Sequence, residues 1–86
     1  MVNKRLRPKA VLRLVRKHAR EHNLEVREEP GRGKGSHYRY VVVDADMLEV
    51  GRFALTGHTR ELSWTVLRSV EETLAPAFGD KWMEEL

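Results

Sequence analysis

The chain predicts an α+β fold, a three-stranded antiparallel sheet with both helices on one face, and three observations predict it. Apolar residues recur at three- and four-residue spacing through residues 8–22, aromatic and β-branched residues crowd residues 37–43, and a second apolar seam follows a serine at position 63. With 86 residues there is room for one domain, and a chain of this size buries only roughly 60 to 65% of its unfolded surface. The order helix, strand, strand, strand, helix then implies a meander covered on one side. We place its core at about residues 7–75, with a C-terminal extension over 76–86.

In the first helix Val11, Leu12, Leu14, Val15 and Ala19 form the apolar side, and Lys9, Arg13, Arg16, Lys17 and Arg20 fill the remaining arc. Pro8 suits a first helical position, and Asn23 before Leu24 suits a left-handed cap with an apolar contact back onto the last turn. Leu24 to Glu28 alternates apolar and polar, a strand ended by Glu29-Pro30-Gly31. His37 to Val43 is the strongest strand segment, and Asp44-Ala45-Asp46 turns it. A third strand is expected over Leu48 to Leu55, with Gly51 marking a bulge. Side chains alternate along a strand, so His37, Arg39, Val41 and Val43 share one face of the second strand and Tyr38, Tyr40 and Val42 the other. With the tyrosines under the helices, His37 and Arg39 look out at solvent from an open face. Thr56 to Arg60 is a loop. Ser63 caps the second helix, Leu62 and Leu67 close a hydrophobic staple across its first turn, and Leu67, Val70 and Leu74 form its seam. Ala75-Pro76 is expected to end it. Phe78, Trp82, Met83 and Leu86 then stand at helical spacing, as one or two turns that either pack on their own domain or serve as an arm for a partner.

Composition narrows the function. There is no cysteine, so disulfides, thiol catalysis and thiolate metal sites drop out. No segment reads as a signal peptide or a membrane span, and the expected location is the cytoplasm. The net charge of +3 conceals a polarity: residues 1–39 carry 12 Lys/Arg against 4 Asp/Glu, or +8, and residues 40–86 carry 4 against 9, or −5. A field of this shape is aimed at an anion, and nucleic acid is the commonest large one. A solvated basic helix without any partner is the plainer alternative.

The chemistry concentrates in Gly31-Arg32-Gly33-Lys34-Gly35-Ser36-His37. Glycines leave backbone N–H groups free to approach a phosphate, Arg32, Lys34 and Arg39 add charge, and His37 is the group that titrates near neutrality. It is not a P-loop, because a strand follows where a nucleotide-binding loop opens a helix. RNA carries its own nucleophile in the 2′-hydroxyl, so its cleavage needs a base, an acid and charge stabilisation at phosphorus, without a metal or other cofactor. In that reading His37 transfers the proton, Ser36 orients the ring or the phosphate, and Lys34, Arg39 and the amides around Gly35 stabilise the developing charge, while Lys9, Arg13 and Lys17 grip the strand. His37 as an ordinary surface residue at a strand end stays open. His58 is the other candidate for proton transfer, against a role in packing the second helix. His18 and His22 have the spacing of a metal pair, but no acidic third ligand is evident, and the pair reads as the border of a core. Thr56, Ser63 and Ser69 carry no Ser-His-Asp logic.

Three blocks together resemble the HicA family of toxin mRNA interferases: Arg7-Pro8-Lys9 leading into Leu14-Val15-Arg16-Lys17-His18; Gly33-Lys34-Gly35-Ser36-His37-Tyr38; and His58-Thr59-Arg60-Glu61-Leu62 with Leu67-Arg68-Ser69-Val70 behind it. Order and spacing agree over about residues 5–75. The resemblance implies a fold similar to double-stranded RNA-binding domains, a catalytic His37, cleavage of mRNA, and neutralisation by a HicB-like antitoxin protein. From other classes, a non-catalytic RNA-binding module and a protein-interaction domain docking an acidic partner stay open, as does the oligomeric state.

Overall fold

The computed structural model describes residues 5–29, 37–57 and 60–85, with the backbone alone for His37 and Glu85. Its elements are α1 (Pro8–Glu21), β1 (Glu25–Glu28), β2 (His37–Val43), β3 (Glu49–Thr56), α2 (Trp64–Phe78) and a 3-10 turn (Trp82–Glu85). The strands form one antiparallel sheet in the order β1-β2-β3, the α+β meander expected from the sequence.

Pro8 occupies the first position of α1 behind an extended Arg7, and the residues that α1 buries, Pro8, Val11, Leu14, Val15, His18 and Ala19, repeat at helical spacing. At its other end Asn23 adopts a left-handed conformation, φ 59°. That reversal lets the Leu24 N–H donate to the Ala19 carbonyl at 2.7 Å and folds half-buried Leu24 against the core. In the turn after β2 the Asp44 carboxylate accepts from the backbone N–H of Asp46 and of Leu48, with Met47 left-handed at φ 65°. Ser63 caps α2 by accepting from the Val66 N–H at 3.2 Å. Leu62 and Leu67, on either side of that cap, are both buried in the main core.

One face of the sheet carries the core. Tyr40 and Val42 from β2 and Phe53 and Leu55 from β3 are buried with Val11, Leu14 and Val15 of α1 and Leu67, Val70 and Leu74 of α2. Tyr40 and Phe53 are register partners and stack at 5.2 Å between centroids. Pairing slips between Val42 and Val43, whose partners are Gly51 and Glu49, so Val50 is the extra residue of a bulge beside the glycine. Gly51 is also needed for space, since a Cβ there would stand 2.8 Å from the Leu74 Cδ2. Val43 at the bulge is buried and Val41 before it half-buried, so the outer face is not open along its whole length.

One expectation is corrected. Helix α2 does not stop at Ala75-Pro76 but runs through Pro76 to Phe78. Pro76 and Glu72 both lie on the exposed side, so the carbonyl to which proline cannot offer an N–H, four residues back, belongs to a residue on the solvent side of the helix. Gly79, at φ 98°, then ends the helix by donating to the Ala75 carbonyl at 2.7 Å. A Cβ at Gly79 would meet nothing within 4 Å, so backbone conformation alone calls for glycine here. Past the helix, Phe78, Trp82 and Met83 are buried in the core cluster, so of the two alternatives for the tail it is packing on its own domain that the structure shows.

Candidate functional site

The basic arc of α1 forms as expected. Lys9, Arg13, Arg16, Lys17 and Arg20 are all exposed. At 3.6 residues per turn they span an arc of roughly 100° opposite the buried seam. The side of this arc nearest the sheet faces β2, where the Arg16 charge acts on the Tyr40 phenol.

His37 opens β2, and its backbone pairs with Thr56, the last residue of β3. Its side chain, together with Arg32, Lys34, Gly35, Ser36 and His58, lies outside the described residues. Arg39 is exposed on the outer face and has no ion pair among the described residues. Its carbonyl accepts from the Glu29 N–H at 2.9 Å, which extends the β1-β2 ladder by one residue. Nearby Arg52 is neutralised: Glu49 accepts two hydrogen bonds from its guanidinium, and a Glu29 carboxylate oxygen stands 3.3 Å away. The Arg52 donors hold the Glu49 carboxyl below the usual carboxylate range. Among the described residues Arg39 is therefore an open cation of the outer face, and Arg52 is a structural one.

Tyr38 departs from expectation. It lies on the same face as Tyr40 and Val42, yet it is 46% exposed. The cause is where α1 begins: the helix covers Tyr40 and Val42, but beside Tyr38 it has only its first turn. The result is a groove of about 480 Å³ between that turn and the ends of β2 and β3, walled by Arg7, Lys9, Leu12, Tyr38, Leu55 and Thr56. Among the described residues no carboxylate lines it.

A second groove of about 800 Å³ meets the first at Arg7 and Thr56 and adds Arg5 and Arg60. Its one acidic residue, Glu61, stands 3.7 Å from the Arg5 guanidinium. Where the two grooves meet, the Thr56 hydroxyl is buried without a hydrogen-bond partner among the described residues. These positions escape sequence reading because no local motif marks them. Arg7-Pro8 held the one usable signal, since a proline that fixes the helix start leaves the preceding arginine at its mouth.

The remaining candidates separate cleanly. His18 is 2% exposed, between Phe78 at 5.5 Å and Trp82 at 5.2 Å, and His22 stacks on Phe78 at 5.7 Å. The pair borders the core, as its spacing on α1 suggested. Glu71 was not singled out by the sequence: it is buried, its carbonyl accepts from the Trp82 indole N–H at 2.8 Å, and its carboxylate accepts from the Met83 N–H at 3.1 Å. Among the described residues no helix is long and apolar enough to cross a membrane, and no three His, Asp or Glu side chains are grouped to hold a metal ion. Comparison with protein-family models, with curated proteins and with solved structures finds no match to this chain.

Proposed function

We propose that this chain is a metal-independent endoribonuclease of the toxin type that acts on mRNA in the cytoplasm, with His37 as its proton-transfer residue and a HicB-like antitoxin as its inhibitor. The observation that carries the reading is the convergence of cations on one end of the sheet. Lys9 at the start of the exposed α1 arc, Arg7, Arg5 and Arg60 line the two grooves that meet at Thr56, the backbone partner of His37. A polyanion drawn to that surface passes the strand end at which the imidazole is attached.

The chemistry asks little of the protein. A 2′-oxygen attacks the adjacent phosphorus and gives its proton to a base. The bond from phosphorus to the 5′-oxygen breaks, and that oxygen takes a proton, leaving a cyclic phosphate and a 5′-hydroxyl. His37 supplies proton transfer, worth roughly 100- to 10,000-fold, while Lys34, Arg39 and the amides near Gly35 and Ser36 stabilise charge on the phosphate oxygens. Lys9, Arg13, Lys17 and Arg32 hold the strand through its phosphates.

His37→Ala tests the reading directly. Turnover of single-stranded RNA is expected to fall by roughly 100- to 10,000-fold, with RNA affinity kept within a few-fold. Lys17→Ala or Arg13→Ala is expected to weaken binding and to lower the salt slope by about one for each phosphate no longer gripped. The exposed arc also favours a second reading, a non-catalytic RNA-binding module, because it provides grip whatever His37 does. Salt-sensitive RNA binding by the wild type with no turnover decides for that module. Stable association with a small acidic protein and no RNA retention decides against both.

A further inference from the structure

The groove beside Tyr38 has a composition that phosphate binding alone does not explain. Its floor and walls are apolar and aromatic, from Leu12, Tyr38, Tyr40 and Leu55, while its rim carries Arg7 and Lys9 with no acid among them. Its volume of about 480 Å³ lies within the roughly 300–1,000 Å³ typical of small-ligand sites. Tyr38 stands 46% exposed over a packed base, because Tyr40 next to it on the same face is buried and stacked on Phe53. Beyond the groove the cations continue through Arg7 to Arg5 and Arg60, and the Thr56 hydroxyl lacks a partner among the described residues at the junction. An aromatic face for a base and cations along the rim and beyond it for the flanking phosphates are the parts of a nucleotide subsite on a single strand.

We propose that this groove is a nucleobase subsite, in which one unstacked base of single-stranded RNA lies on the Tyr38 ring and the adjoining phosphates run past Arg7 and Lys9. This inference rests on the RNA reading above and specifies its substrate: an unpaired nucleotide next to the position of His37. In a duplex the base faces are already stacked on one another, so the site selects for unpaired RNA and sets the register of the strand against β2. The phenol ring stacks any base, so the selection acts on strandedness more than on sequence.

The test uses the full chain and 2′-O-methyl RNA, which offers no 2′-hydroxyl for cleavage. Oligomers carrying a single abasic position, moved stepwise along the strand, are titrated against wild type, Tyr38→Phe and Tyr38→Ala. The wild type is expected to lose roughly 5- to 150-fold in affinity at one abasic position, the factor that corresponds to stacking one base. Tyr38→Phe keeps that pattern. Tyr38→Ala loses a similar factor on the intact strand and becomes indifferent to the abasic scan, and 2-aminopurine at the sensitive position is quenched by wild type and Tyr38→Phe only. Thermal melting of the variants checks that they fold.

If the wild type binds RNA but the scan is flat, or Tyr38→Ala binds as tightly as wild type, the subsite is overturned and the RNA reading stands. If the wild type retains no RNA at low salt, both fall together. If Tyr38→Ala instead abolishes association with a protein partner and leaves RNA binding unchanged, the groove is a protein-docking surface and the subsite is overturned.

Discussion

The two ends of α1 are built from the same kinds of residue and do opposite things. At the C-terminal end buried His18 packs against Phe78 and Trp82, exposed His22 stacks on Phe78 from outside, and the Trp82 indole N–H is bonded to the Glu71 carbonyl, so that the tail's rings are used up by the domain itself. At the N-terminal end Arg7 and Lys9 meet Tyr38 and Tyr40, nothing among the described residues covers Tyr38, and a groove is left. Residue type does not separate structure from site here. What separates them is whether the topology returns a segment to close the cluster: Gly79 and the 3-10 turn do so at one end. At the other end α1 starts one turn too late.

The largest effect expected from this contrast is on stability. Trp82 is 1% exposed, touches His18 and Phe78, and donates a buried hydrogen bond to Glu71, so Trp82→Ala should cost about 3–5 kcal/mol. Tyr38→Ala, at the open end, should cost less than about 1 kcal/mol, since surface substitutions seldom do more. Urea unfolding of the two variants beside wild type measures the difference. Equal costs would mean that the tail is dispensable to the fold or that Tyr38 is part of its core, and either result breaks the contrast.

A smaller effect isolates how the tail is held. Glu71 accepts the Met83 N–H with its side chain, and removing the acceptor in Glu71→Ala leaves a buried donor unpaired, a loss of about 1–3 kcal/mol. Glu71→Gln retains an oxygen at the same place and should recover most of that loss. If Glu71→Ala and Glu71→Gln unfold at the same urea concentration, the hydrogen bond to Met83 contributes nothing and the aromatic contacts alone close the end.

Much of this arrangement was legible in the residues. Pro8, Asn23 and Ser63 each carry a local steric or hydrogen-bonding reason for a boundary, and the structure places the boundaries there. Gly51 signalled the bulge, although its close approach to Leu74 is a tertiary fact that no local pattern contains. Pro76 misled because a proline near a helix end is ordinarily a stop. Here its side faces water, and burial of Phe78 two residues on outweighs the lost hydrogen bond. Alternation put Tyr38 on the core face correctly, but whether a core-face residue is covered depends on where a helix distant in the chain begins to run over it. The cationic arc was readable from spacing alone. The groove it borders was not, because it is a property of what fails to meet.

The smallest effect sharpens the boundary between the two ends, and it lies with Tyr40, the buried ring that floors the groove. Burial raises its phenol above the ordinary value of 10.0, the Glu28 charge and Tyr38 push the same way, and Arg16 opposes them in part. The folded state thus holds this proton more tightly than the unfolded chain does. Its contribution to stability is fully present below pH 10, where both states are protonated, and is lost as pH rises from the unfolded value through the raised folded one. Unfolding followed from about pH 9 upward should show wild type losing stability more steeply than Tyr40→Phe, which has no proton to bind. Arg16→Ala, by removing the opposing charge, should leave the onset of the decline in place and carry it on to higher pH, for a larger total loss. Parallel curves for wild type and Tyr40→Phe would place the Tyr40 hydroxyl in free contact with water. The floor of the groove would then be as open as its wall, and the contrast between a sealed and an open end of α1 would begin one residue deeper in the sheet.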